Sequence, residues 1–328
     1  MHCGSAERNG FMPGKKNSSK NTAQAAKAAT ERSAGIAHWP APPTVSGRWM
    51  LIATGIAIGA AAACAWLTLC FLFWQGSWQL LYHPTAAVTR TTASVGLAFD
   101  PVAFATTEAG LPRLKGWWIP SEAQSRFTAI DLHGASGNVG DTVDALKALH
   151  DAGMNVLAFD YRGYGQSEAM HPSEALWRED AESAISYLTN TRHVPAASII
   201  LVGQELGANL ALEVAAAHPE LGGVVLDAPV NAPQDAIFND PRARLVPARL
   251  LVRDRWDAHA AAAGVLIPSL WFYRAPAQST QEAEQAAYSN VTARKQEVWL
   301  PDASDAGKSF GSALTRWLDD LPGEKAKP

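Results

Sequence analysis

Hydrophobic and polar positions divide this chain into three regimes. Residues 1–48 are rich in Ala, Ser, Asn, Gly and Lys and show no apolar period, a composition that predicts disorder. From Trp49 to Trp74 no charged residue occurs, and most positions are aliphatic or aromatic. About 20 apolar residues span a bilayer, so this run predicts a transmembrane anchor over 49–74. Trp49, Trp74 and Trp78 fall where an interfacial aromatic belt would lie. A signal peptide that is cleaved has a shorter apolar core, so the anchor is expected to be retained.

The third regime covers residues 80–320, with a short tail at 321–328. Antiparallel strands are predicted near Phe99–Thr106 and Leu114–Ile119. After the apolar run Phe127–Leu132 the chain alternates strand and helix. The pattern predicts a helix over Asp141–Ala152, N-capped by Asp141, with Val143, Leu146 and Leu149 inward. A strand at Val156–Phe159 and a helix at Ser173–Leu188 follow, the helix burying Trp177, Ala181, Ile185 and Leu188. Further strands are expected at 199–202, 224–226, 269–273 and 297–300, with helices near 281–288 and 310–318. Such alternation means a parallel sheet with right-handed crossovers. Residues 229–262 break the alternation and read as a small cap. A fragment starting at residue 83 is expected to fold without the anchor.

Within this pattern one pentapeptide organises the rest: Gly203-Gln204-Glu205-Leu206-Gly207. It follows the apolar run Ile199–Val202 and opens a helix with Leu206, Leu210, Val214 and Ala217 on one face. Strand, Gly-flanked turn, helix is the setting of a nucleophile elbow. The glycines let strand and helix pack closely, and the central residue stands exposed at the carboxyl edge of the sheet. Two other segments sit at that edge. In His133-Gly134-Ala135-Ser136-Gly137-Asn138, the turn at Gly134, Ala135 and Ser136 could join the Leu206 N–H in an oxyanion hole. In Asp160-Tyr161-Arg162-Gly163-Tyr164-Gly165-Gln166-Ser167, a charge pair is expected to brace the rim.

These three motifs, in this order, resemble the membrane-anchored α/β-hydrolases of the serine aminopeptidase and acylglycerol-lipase-like group. Tyr82-His83-Pro84, Gly116-Trp117-Trp118-x-Pro120 and Val252-Arg253-Asp254-Arg255-Trp256-Asp257 also look like that group. The resemblance implies an α/β-hydrolase fold: a mostly parallel sheet flanked by helices, with a small cap and an N-terminal transmembrane helix. It also implies a serine nucleophile, an acid after the strand at 269–273 and a histidine after the strand at 297–300.

This chain departs from the family at all three positions. The nucleophile position is Glu205, the acid position falls on Ala277, and the histidine position falls on Asp305. Asp227, ending the strand at 224–226, is an alternative acid; nothing replaces the base, since no histidine follows His259. A carboxylate nucleophile needs an activated water to release its ester. Glu is also one methylene longer than Asp, a displacement of about an ångström that costs roughly 10²-fold. Were Glu205, Asp305 and Asp227 to converge, they would share a proton or hold a hard cation. Drift from a lost triad gives the same residues with no site. The reading includes no cofactor and no resident metal.

Charge then sets the surroundings. The net charge is −4, but residues 1–48 carry +5 and the remainder −9. An acidic body argues against a nucleic-acid partner. The positive flank before the anchor predicts a cytoplasmic N-terminus and a domain on the outer side, whether periplasmic, extracellular or lumenal. Cys3, Cys64 and Cys70 all precede the domain, so no disulfide framework is expected there. Ala-Ala-Ala before Cys64 faintly resembles a lipoprotein cleavage site, but the polar segment ahead is too long. The cap interleaves Arg242, Arg244, Arg249, Arg253 and Arg255 with Leu245, Val246, Leu250, Leu251 and Val252. That pattern fits contact with anionic headgroups, or a solvated face paired with Asp235, Asp240 and Asp254. Three functions stay open: a pseudoenzyme holding a lipid-like or peptide-like ligand or a partner protein, an ester or amide hydrolase with rearranged chemistry, and a structural partner at the membrane.

Overall fold

The structure is a computed structural model that describes residues 45–122, 125–274, 286–300 and 306–321, with three further positions near residue 25. The chain divides into two units, Met1–Ala62 and Ala63–Pro328. The first contains the start of helix α1 (Gly47–Gly76), which is long and apolar enough to cross a membrane.

The second unit is built on an eight-stranded sheet. Its strands are β1 (Asp100–Thr106), β2 (Pro112–Ile119), β3 (Thr128–Leu132), β4 (Asn155–Asp160), β5 (Ile199–Gln204), β6 (Gly223–Asp227), β7 (Ser269–Arg274) and β8 (Lys295–Leu300). Their spatial order is β8-β7-β6-β5-β3-β4-β2-β1. β2 is antiparallel to both β1 and β4, and the remaining pairs are parallel. β3 is buried at every residue, as a strand covered on both faces must be. The order reverses between β3 and β5, which lie side by side but lead outward in opposite directions, so the crevice at the carboxyl ends opens between them.

Helices α2 (Val143–Asp151) and α6 (Ala306–Asp319) cover one face, where Val143, Leu146 and Leu149 share a core with Leu314 and Trp317. Helices α3 (Glu174–Ser186), α4 (Leu206–Ala217) and α5 (Ala258–Gly264) cover the other, around Trp177, Leu210 and Ala262. Capping sets the helix starts. Ser173 accepts the Leu176 N–H ahead of α3, and Asp257 accepts the Ala260 N–H ahead of α5. Asp141 is not the cap of α2. A single 3₁₀ turn precedes that helix, capped by Asn138, and Asp141 closes the capping box from inside it. Helix α4 is buried almost all round rather than along one face, while Ala217 is exposed.

The expectation that residues from 83 onward fold without the anchor assumed a core that ends there, and the core does not end there. Cys70 and Phe73 of α1, together with Leu81 and Tyr82, belong to the same buried core as Trp177 and Leu201. Their removal would open a cavity rather than trim a tail. Cys64 and Cys70 are both free thiols.

Candidate functional site

Glu205 follows β5 and precedes α4 with φ 50° and ψ −118°, a conformation disfavoured for a side-chain-bearing residue. Close packing imposes it. A Cβ on Gly203 would lie 2.3 Å from the Gly207 carbonyl oxygen, and one on Gly207 would lie 2.0 Å from the Leu132 carbonyl oxygen. Only glycine at both positions lets α4 begin directly against the ends of β5 and β3. The Glu205 N–H donates to the Asp227 carbonyl (2.8 Å), and the Glu205 carbonyl accepts from the Ala208 N–H (3.0 Å). The Glu205 side chain is exposed, as an elbow residue must be.

That side chain leans over the predicted oxyanion turn. Its Oε2 lies 2.9 Å from where a Cβ on Gly134 would stand. The turn is fixed from behind: the Ala135 carbonyl accepts from the His83 N–H (2.8 Å) and from the Tyr164 hydroxyl (2.8 Å). Ser136-Gly137 pairs in parallel with His83-Pro84, so the residues after the anchor form a strap across the turn. Gly134 is thus brought beside Glu205 and its chain neighbour Leu206, with Ala135 next in the turn and Ser136 exposed. The chain Cβ–Cγ–Cδ–O of a glutamate has the length of Cβ–Oγ–C–O in an acylated serine, but it ends in an anionic carboxylate where the acyl group has a neutral carbonyl.

Asp227 stands at the end of β6, one strand away, in register with Gln204. Its Oδ2 accepts from Arg274 Nη2 at 3.0 Å. Burial pushes its carboxyl above the ordinary range; Arg274 opposes this, and Glu205 adds to it. A cavity of about 180 Å³ opens beside the pair, lined by Ala148, Leu300, Gly307 and Phe310 among others. Ala277 and Asp305, the acid and histidine positions, lie outside the described residues. Among the described residues no group of three metal-ligating side chains converges.

Two buried groups here carried no motif. Asp131 on β3 is fully buried and accepts from Gln204 Nε2 at 3.1 Å; desolvation pushes its carboxyl up to about 7. A charged residue inside an apolar strand run was the available signal. His133 packs against Tyr161, Tyr164 and Trp177, and burial pulls its imidazole down to about 4. It is a neutral core ring. The other histidines with described partners are also engaged: His218 bridges Glu182 and Glu220, and His259 meets Asn231.

The expected Asp160–Arg162 pair does not form. Asp160 accepts the Val139 N–H (2.7 Å), and desolvation raises its carboxyl to about 6. Arg162 instead grips Asp180 (2.5 Å) and Glu179 (2.7 Å) on α3. Each brace ties the rim to a different helix. On the same side Tyr82 donates to Asp254 at 2.5 Å and accepts from Trp256 Nε1 at 3.1 Å, joining the strap to the cap.

Comparison with known proteins follows this geometry. Residues 123–298 match the serine aminopeptidase (S33) hydrolase family. The chain belongs to that family. An uncharacterized protein of Mycobacterium tuberculosis is 32% identical over 180 residues, 54% of this chain and 61% of that protein. An uncharacterized membrane protein of Saccharomyces cerevisiae is 31% identical over 155 residues, 45% of this chain and 53% of its own. This family member therefore spans less than two thirds of either relative. Among solved structures, an esterase of Pyrococcus furiosus superposes with TM-score 0.55 at 18% identity, covering 74% of this chain and 98% of that one. At that identity the likeness is one of fold, and it is the α/β-hydrolase fold.

Proposed function

We propose that this family member is a membrane-anchored binding protein that does not hydrolyse esters through a serine-type route. The observation that carries the reading is Glu205 at the strained elbow, its carboxylate lying over the Gly134 turn. Three features agree with it. The acyl position is filled by the protein's own side chain. Asp227, the alternative acid, is held by Arg274 rather than by an imidazole. The sequence offers aspartate where a general base would stand, and general-base activation of a nucleophile or water is what this chemistry needs.

The ligand class follows from the carboxylate. An ionised carboxylate only accepts hydrogen bonds, so it recognises donors: an amine, a hydroxyl or an amide N–H. A lipid-like or peptide-like molecule presenting such a donor fits the edge beside the turn, with its apolar part toward the cap. The apolar run of α1 and the likeness to a yeast membrane protein support a membrane location. The +5 flank supports a domain on the outer side.

The test uses the full chain in nanodiscs. It should leave short-chain acyl esters unhydrolysed and fluorophosphonate probes unbound. Mass spectrometry should find a small molecule co-purifying with the wild type and depleted from Glu205→Gln, which keeps the shape but loses the charge. Turnover by the wild type that Glu205→Gln abolishes would overturn the reading. For the orientation, protease added to right-side-out vesicles should digest the domain, and full protection would reverse the assignment.

A further inference from the structure

We propose that the cap edge around Leu245 and Leu250 is a second membrane-contacting element, seated among anionic lipid headgroups of the bilayer that holds the anchor. This inference does not depend on what Glu205 does. It starts from one hydrogen bond: Trp66 of α1 donates its indole N–H to the Leu245 carbonyl at 3.1 Å. Trp66 precedes Trp74 by eight residues, which is about 12 Å of helix at ~1.5 Å per residue. The cap therefore meets α1 well inside the uncharged run.

Either the bilayer ends near Trp66 and the last turns of α1 stand in water, or the cap edge lies at lipid depth. The helix surface decides. Leu67, Phe71 and Leu72 are all more than half exposed, and Trp74 is 42% exposed. Such a continuous apolar surface does not face water in a folded protein without a partner. These turns are immersed, and the cap edge joined to them is immersed with them.

The cap is built for that depth. Leu245 is 60% exposed and Leu250 is 84% exposed, while Val246 and Ala248 between them, and Ala243 and Val252 on either side, are buried. The chain has turned its larger aliphatic side chains outward. The arginines surround them. Only Arg242 among the five pairs with a carboxylate among the described residues, Asp240. Asp254, expected to neutralise the cap, is committed to Tyr82 instead. Arg244 and Arg249 flank an open cavity of about 320 Å³ next to Leu250. Arg249 lies over the Phe238 ring at 5.0 Å without a carboxylate partner, and exposed aliphatic residues beside arginines that no carboxylate neutralises are the signature of an interfacial element. Each such arginine adds electrostatic attraction to an anionic leaflet.

The experiment places an environment-sensitive NBD label in the full chain, with Cys3, Cys64 and Cys70 replaced by Ala. Leu250→Cys reads the cap edge, Leu245→Cys repeats it, and exposed Ser186→Cys on α3 is the water-facing control. Nanodiscs contain phosphatidylcholine alone or mixed with phosphatidylglycerol. In the anionic discs, labels at 250 and 245 should shift to the blue and be quenched by shallow nitroxide lipids, while the label at 186 should do neither. Arg244→Glu with Arg249→Glu should return the label at 250 toward its aqueous spectrum. Water-like emission at both cap positions in anionic discs would overturn the proposal. So would a shift that grows with the number of chains per disc, which would mean a second copy covers the edge. An equal shift in phosphatidylcholine alone, unaffected by the arginine reversals, would overturn the headgroup assignment.

Discussion

The Arg274 guanidinium holds the Asp227 carboxylate at 3.0 Å, across the ends of adjacent strands. Burial already pushes Asp227 above the ordinary carboxylate range, and Arg274 pulls it back. Arg274→Ala should therefore raise the Asp227 midpoint further, as read by carbon NMR on a specifically labelled sample. An unchanged midpoint would show that the pair does not exist in solution.

Asp131 predicts a pH dependence of stability. Its carboxyl titrates near 7 in the fold against about 3.8 in an open chain. The folded state then binds more protons than the unfolded state between those values, so stability falls as pH rises from about 4 to about 7. Asp131→Asn keeps an acceptor for Gln204 and removes the charge. It should stabilise the protein above pH 7, by at most about 4 kcal/mol on the scale of 1.36 kcal/mol per unit. Denaturant midpoints at pH 5 and pH 8 should differ less in the variant than in the wild type.

Tyr82 joins the strap to the cap through Asp254 and Trp256. Tyr82→Phe would leave a part-buried carboxylate and a buried indole N–H short of a partner, at a cost of about 1–3 kcal/mol. Thermal denaturation in detergent should show the loss. Asp254→Asn should cost less, because its amide oxygen can still accept from the tyrosine.

Rebuilding the triad tests the elbow. Glu205→Ser alone should stay nearly inactive, since a serine hydroxyl without a base is a weak nucleophile. Glu205→Ser with Ala277→Asp and Asp305→His should gain fluorophosphonate labelling if the Gly134 turn and the Leu206 N–H form an oxyanion hole. Gly207→Ala added to that triple variant should abolish the gain. Its Cβ would lie 2.0 Å from the Leu132 carbonyl oxygen, and relieving such overpacking costs about 3 kcal/mol or more.

The sheet was readable from the sequence because buried parallel strands announce themselves as apolar runs between turn glycines; β3 through β6 fall within a residue or two of their predicted ends. The elbow was readable because Gly203 and Gly207 are demanded by contacts with backbone, which no other residue can make. Pairings between distant side chains were not. Nothing in Asp160-Tyr161-Arg162 says that the arginine turns to Asp180 on a helix 18 residues away. Arg274 could not be assigned to Asp227 because strand adjacency, not sequence distance, brings them together. The contribution of Cys70 and Phe73 to the core was hidden for another reason: an apolar residue in an apolar helix looks the same whether it faces lipid or protein.

That last contribution bears on how the molecule can be processed. In many anchored proteins a spacer separates membrane segment from domain, and cutting the spacer sets free an intact soluble body. Here four residues of the segment that such a cut would target, Cys70, Phe73, Leu81 and Tyr82, are floorboards of the domain itself. Proteolysis at that point should therefore release a destabilised body rather than an intact soluble one.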